Sequence, residues 1–91
     1  MNTHDLYNEA IGKWGSDAVT AKAIEECGEL VSALAKYSLN EEHYGFDTSK
    51  VIDEIADVTI MMEQLALIYG YSDVYRRIDF KRDRLKSLLE Q

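Results

Sequence analysis

Two stretches of this chain gather acids at a spacing that suits metal-assisted chemistry: AIEECGEL, residues 23–30, and VIDEIADV, residues 51–58. Glu26 with Glu29, and Glu54 with Asp57, stand three residues apart, which on an α-helix puts both members of a pair on one side. Two such pairs on facing helices would make a divalent-cation site. Carboxylate-only sites prefer hard cations such as Mg²⁺ or Mn²⁺, and magnesium held in this way keeps waters and bridges phosphates. The chemistry available to such a site is neutralisation of a polyphosphate and activation of a water for in-line attack on phosphorus. Lys81 and Arg84, also three apart, could stabilise charge on a leaving group.

A helical wheel at about 100° per residue tests whether these acids are only a wet surface. Glu54 falls inside the apolar arc between Met61 and Leu65. Asp57 lies at the edge of that arc beside Ile68, and Asp53, Glu63 and Gln64 fall on the opposite, polar side. In the first stretch Glu26 lies between Ala33 and Tyr37, Glu29 just outside the arc, and Glu25 on the polar face with Ser32 and Lys36. Each helix therefore buries one acid and holds a second at the rim. An uncompensated buried carboxylate costs several kcal/mol, so two facing helices that each bury one call for cations between them. The competing reading, two solvated acidic helices, fits these wheel positions poorly.

The 91 residues bound the possibilities. They allow one domain, residues 1–91, which buries only about 60 to 65% of its extended-chain surface. A formal charge of −7 argues against non-specific nucleic-acid binding, since no broad basic face is available. The single cysteine, Cys27, excludes an internal disulfide and fits a reducing, cytoplasmic compartment. No stretch reaches the roughly 18 apolar residues of a membrane span, and no signal peptide is expected.

Taken in order, residues 3–13 predict a short amphipathic helix capped by Thr3, with Leu6, Tyr7 and Ala10 inward. His4 reads as surface polarity. After Trp14-Gly15, a second helix capped by Ser16 or Asp17 runs to about Tyr37, with Ala23, Ile24, Cys27, Leu30, Val31 and Leu34 at three- and four-residue steps. Cys27 reads as a packed thiol rather than a nucleophile, with no histidine placed to activate it. Residues 40–48 break the period and read as a loop, with His43 solvated there. Thr48 or Ser49 caps a third helix that ends at Gly70. Its second half is apolar around most of its circumference, which requires cover on several faces and so implies subunit association. Ser72 or Asp73 caps a fourth helix to about Leu89, with Val74, Ile78, Leu85, Leu88 and Leu89 as its stripe. Lys81 sits within that stripe and Arg84 on its border. As snorkelling side chains they need only pack; the sharper reading turns them toward anionic oxygens near the metal site. The expected fold is all-α, a four-helix bundle completed by oligomerisation. A di-iron bundle is the rival metal reading, but it expects Glu-x-x-His pairs, and the sequence has none.

Glu25-Glu26-x-x-Glu29, followed by Glu54-x-x-Asp57 and then by Lys81-x-x-Arg84, resembles the MazG-like family of all-α nucleoside triphosphate pyrophosphohydrolases, over about Lys13 to Leu89. The resemblance implies Mg²⁺-dependent hydrolysis of a nucleoside or deoxynucleoside triphosphate to the monophosphate and pyrophosphate, in nucleotide pool control or house-cleaning. It also implies Glu26, Glu29, Glu54 and Asp57 as metal ligands, Glu25 as a residue that assists from outside them or orients water, and Lys81 and Arg84 as phosphate contacts. Trp14 would line the base pocket. Assembly as a homodimer or homotetramer is implied too. The alternative is a non-catalytic oligomerisation or regulatory module that kept the bundle; retention of all four acids disfavours it, because apolar residues there would be more stabilising.

Overall fold

The structure, a computed structural model, describes residues 1–38 and 48–91. Those residues form four α-helices and no strand: α1 (Thr3–Trp14), α2 (Ser16–Ser38), α3 (Ser49–Tyr69) and α4 (Tyr71–Leu89). The loop expected over 40–48, with His43, lies outside the described residues except for Thr48.

Local signals explain where the helices begin and end. Asn2, not Thr3, caps α1: its side-chain oxygen accepts from the Asp5 N–H at 2.8 Å, satisfying one of the donors a helix start leaves without a partner. Gly15 closes α1 at φ 86° and donates its N–H to Ile11 at 2.8 Å. Gly70 closes α3 at φ 126° and donates to Ala66 at 2.9 Å. Both glycines hold backbone conformations that a Cβ would disfavour. α4 starts directly at Tyr71, so the expected Ser72 or Asp73 cap falls inside the helix, and Gly70 serves as N-cap with no side-chain bond.

α2 and α3 form the main packed pair, α1 lies against both, and α4 packs on α3. The apolar centre is Val19, Ala23 and Met61, with Ile11, Leu65 and Ile68 against it. Of the residues expected to face inward on α2, Ala23 is buried, whereas Ile24, Val31 and Leu34 are exposed; Leu6 of α1 is exposed as well. The reason is geometric. One partner helix covers a narrow stripe, and on α2 that stripe runs through Val19, Ala23, Glu26 and Ala33. α4 buries none of its residues: Val74 and Ile78 are half-buried, and Leu85, Leu88 and Leu89 are exposed. Its first turn is held by rings, with Tyr71 4.6 Å from Tyr75 and edge-on to His4 at 4.7 Å. The radius of gyration is 16.4 Å, where a compact chain of this length has about 12 Å. No described helix is long and apolar enough to cross a membrane.

Candidate metal centre

The α2–α3 contact carries the acids. Glu26 and Glu29 from α2 and Glu54 from α3 each bring a carboxylate oxygen within 4.8 Å of the others. Glu54 is 1% exposed and Glu26 7%, so both sit in the contact, while Glu29 stands at its solvent edge. Each buried carboxylate meets a lysine one turn back on its own helix. Lys22 Nζ lies 3.2 Å from Glu26 Oε1 and Lys50 Nζ 2.6 Å from Glu54 Oε1, both lysines reaching in from water. The other oxygen of each acid, Glu26 Oε2 and Glu54 Oε2, is buried with no hydrogen-bond partner. A buried acceptor left in that state costs about 1–3 kcal/mol, more when charged.

The charge at the site registers on its neighbours. Glu29 holds its proton above the ordinary carboxyl range, first because of the Glu26 charge, then through burial and the charges of Glu54 and Glu25, with Lys50 opposing. Asp57 is raised first by burial, then by Glu26, Asp53 and Glu54, with Lys22 opposing. Lys22 and Lys50 are raised in turn, chiefly by their hydrogen bonds to Glu26 and Glu54. The two lysines thus offset the negative charge only in part. Three clustered carboxylates, two of which each keep an orphaned oxygen, are a donor set that fits a hard divalent cation.

Asp57 is half-buried one turn along α3 and stands outside the group of mutually close oxygens. Glu25 is exposed and accepts from Lys22 at 3.4 Å. Lys81 and Arg84 lie on the exposed distal half of α4 and form no ion pair with the four acids among the described residues. Trp14 borders two hollows. The larger, about 320 Å³, is lined by Trp14, Ala18, Val19, Lys22, Met61 and Gln64. Leu6 and Lys13 line the smaller one, and the Lys13 ammonium lies 5.4 Å from the centre of the Trp14 ring.

Sequence reasoning missed three residues here. The lysines carried a signal, their i, i+4 spacing to Glu26 and Glu54, which is common on any helix. Gln64 carried none: the wheel put it on the polar side, yet it is 8% exposed and donates from Nε2 to Met61 Sδ at 3.7 Å. α1 covers that second face of α3, as the bond from Tyr7 to Glu63, 2.8 Å, also shows.

Compared with models of protein families, with curated proteins and with solved structures, the chain matches none.

Proposed function

We propose that this chain is a Mg²⁺-dependent nucleoside triphosphate pyrophosphohydrolase of the MazG-like type, releasing pyrophosphate and a nucleoside monophosphate or its deoxy form. The observation that carries the reading is the pair of partnerless buried oxygens, Glu26 Oε2 and Glu54 Oε2, on carboxylates that converge across α2 and α3. A protein that gained only stability from this contact would do better with apolar residues there.

Glu26, Glu29 and Glu54 would hold the metal, with Asp57 joining from the next turn of α3. Bound there, Mg²⁺ or Mn²⁺ would neutralise polyphosphate charge and supply an activated water. Glu29, at the solvent edge and with its proton affinity raised by Glu26, stands where a water enters. Glu25 holds Lys22 from outside and so helps to place an ammonium beside the phosphate path. Among the described residues Lys81 and Arg84 are exposed and form no ion pair with the acids of their own chain, which favours their arrival on α4 of a second copy, in a homodimer or homotetramer. The exposed apolar residues of α4, together with Ile52 and Ile55 of α3, suit such an assembly. The single thiol and the acidic charge agree with a cytoplasmic enzyme of the nucleotide pool.

The test is a screen of canonical and modified triphosphates with Mg²⁺, reading pyrophosphate against orthophosphate. Pyrophosphate release that disappears in Glu54→Ala is the expected result. Orthophosphate as product would overturn the reaction class, and a folded protein with neither turnover nor a Mg²⁺ response in melting would point to a non-catalytic module.

A further inference from the structure

The reading above gives Lys22 an indirect part and Lys50 none, yet both stand at the acids in the same way. Each sits one turn before a buried glutamate on its own helix, and its ammonium meets Oε1, at 3.2 Å for Glu26 and 2.6 Å for Glu54. Oε2 of each acid is buried and keeps no hydrogen-bond partner among the described residues. These are not ordinary surface pairs. Only 9% of the Glu26 side chain and 2% of the Glu54 side chain is exposed, against 53% and 67% for the lysines. A pair exposed at both ends contributes little, whereas a buried charge that loses its partner is strongly destabilising. The lysines therefore carry charge from solvent to acids that packing has taken out of it, and each does so on one oxygen.

A count of charges says what the remaining oxygens can take. Glu26, Glu29, Glu54 and Asp57 carry four negative charges when ionised, and Lys22 and Lys50 return two. Two negative charges are left, which one divalent cation neutralises and a second would exceed. Glu25 shares Lys22 at 3.4 Å but is exposed, where water and salt screen it. We propose that Lys22 and Lys50 are tethered counter-cations that stand in for a second metal ion: each neutralises one oxygen of a buried acid, and the acids between α2 and α3 then hold a single divalent cation on the oxygens left over. The proposal rests on the metal reading above and adds the number of ions and the residues that set it. Because each ammonium is fixed to the helix of its own acid, its effective concentration there does not fall when free metal runs low. The site without metal thus keeps its buried carboxylates partnered.

The probe is Mn²⁺ without nucleotide, with free and bound ion counted by electron paramagnetic resonance on the full-length protein. The wild type is expected to bind one Mn²⁺ per chain. Lys22→Met combined with Lys50→Met keeps both unbranched stems and removes both ammoniums. That variant is expected to bind its first ion about tenfold more tightly, the order of a screened unit charge acting on a divalent ion a few ångströms away, and to take a second ion. In EDTA it should melt about 5 °C lower for each lysine lost. Lys22→Arg combined with Lys50→Arg, which keeps the charge, should return the count to one. Should the double methionine variant lose its helical circular dichroism, Lys50→Met alone serves, with the tighter first ion as its readout. Two Mn²⁺ per wild-type chain, or a double methionine variant that takes one ion with unchanged affinity, would overturn the proposal and leave the metal site standing. No Mn²⁺ binding by the wild type would overturn both. A count that rises from one to two in the variant, with no pyrophosphate release from any triphosphate by the wild type, would remove the hydrolase reading and support the counter-cations.

Discussion

Replacing Glu54 by glutamine separates a metal site from a structural carboxylate, because the two roles give opposite signs in the melting temperature. Glu54 and Glu26 bring oxygens within 4.8 Å of each other in a buried contact. At that separation and an effective dielectric constant of about 20, two unit charges repel by about 3.5 kcal/mol. Lys50, whose head is in water, offsets a fraction of this through its contact with Glu54 Oε1. Glutamine is nearly isosteric with glutamate, so the variant keeps shape and volume while removing one charge of the repelling pair. Without metal, Glu54→Gln is expected to be more stable than the wild type by about 1–2 kcal/mol, a rise in Tm of about 5–10 °C for a domain of this size. With Mg²⁺ at about 100 times Kd, the wild type should gain about 2.7 kcal/mol and the variant almost nothing. The assay is thermal unfolding by circular dichroism at one fixed protein concentration, in EDTA and in a Mg²⁺ series. A variant that melts lower than the wild type in EDTA would show that the carboxylate is a structural partner. A variant that keeps the full Mg²⁺ shift would remove Glu54 from the metal site.

Three further outcomes can be checked directly. The raised carboxyls of Glu29 and Asp57 ionise later in the folded chain than in the unfolded one, so each takes stability away as pH rises from its ordinary value, 4.5 or 3.8, through its higher folded value. In a pH series of melts, this loss on raising the pH across that window should appear in EDTA and shrink in Mg²⁺, where the ionised forms have a partner. Tyr7→Phe removes the 2.8 Å bond to Glu63 and should destabilise by about 1 kcal/mol, visible as a lower urea midpoint with unchanged slope; no change would mean that α1 is held by packing alone. Sedimentation should show the wild type as a dimer or tetramer and Leu85→Asp as smaller, since Leu85 is 57% exposed on α4; a wild type that is monomeric at tens of micromolar would refute the assembly.

Much of the architecture can be read from residue order because helix formation is local. Asn2, Gly15 and Gly70 act through their own caps and φ values, and the three- and four-residue period marks α2 and α3 without reference to any partner. The same period puts Glu26 and Glu54 among apolar neighbours, where the structure holds them. Burial of Gln64, exposure of Ile24, Val31 and Leu34, and the bare distal half of α4 were not readable in this way. A wheel gives the angle of a side chain about its own axis, whereas burial depends on how many helices surround that axis and from which directions. Sequence alone therefore determined the helices, the glycine stops of α1 and α3, and the two inward acids. The α2–α3 packing decided which carboxylates converge, and α1, laid on the second face of α3, left a buried glutamine in the lining of a cavity.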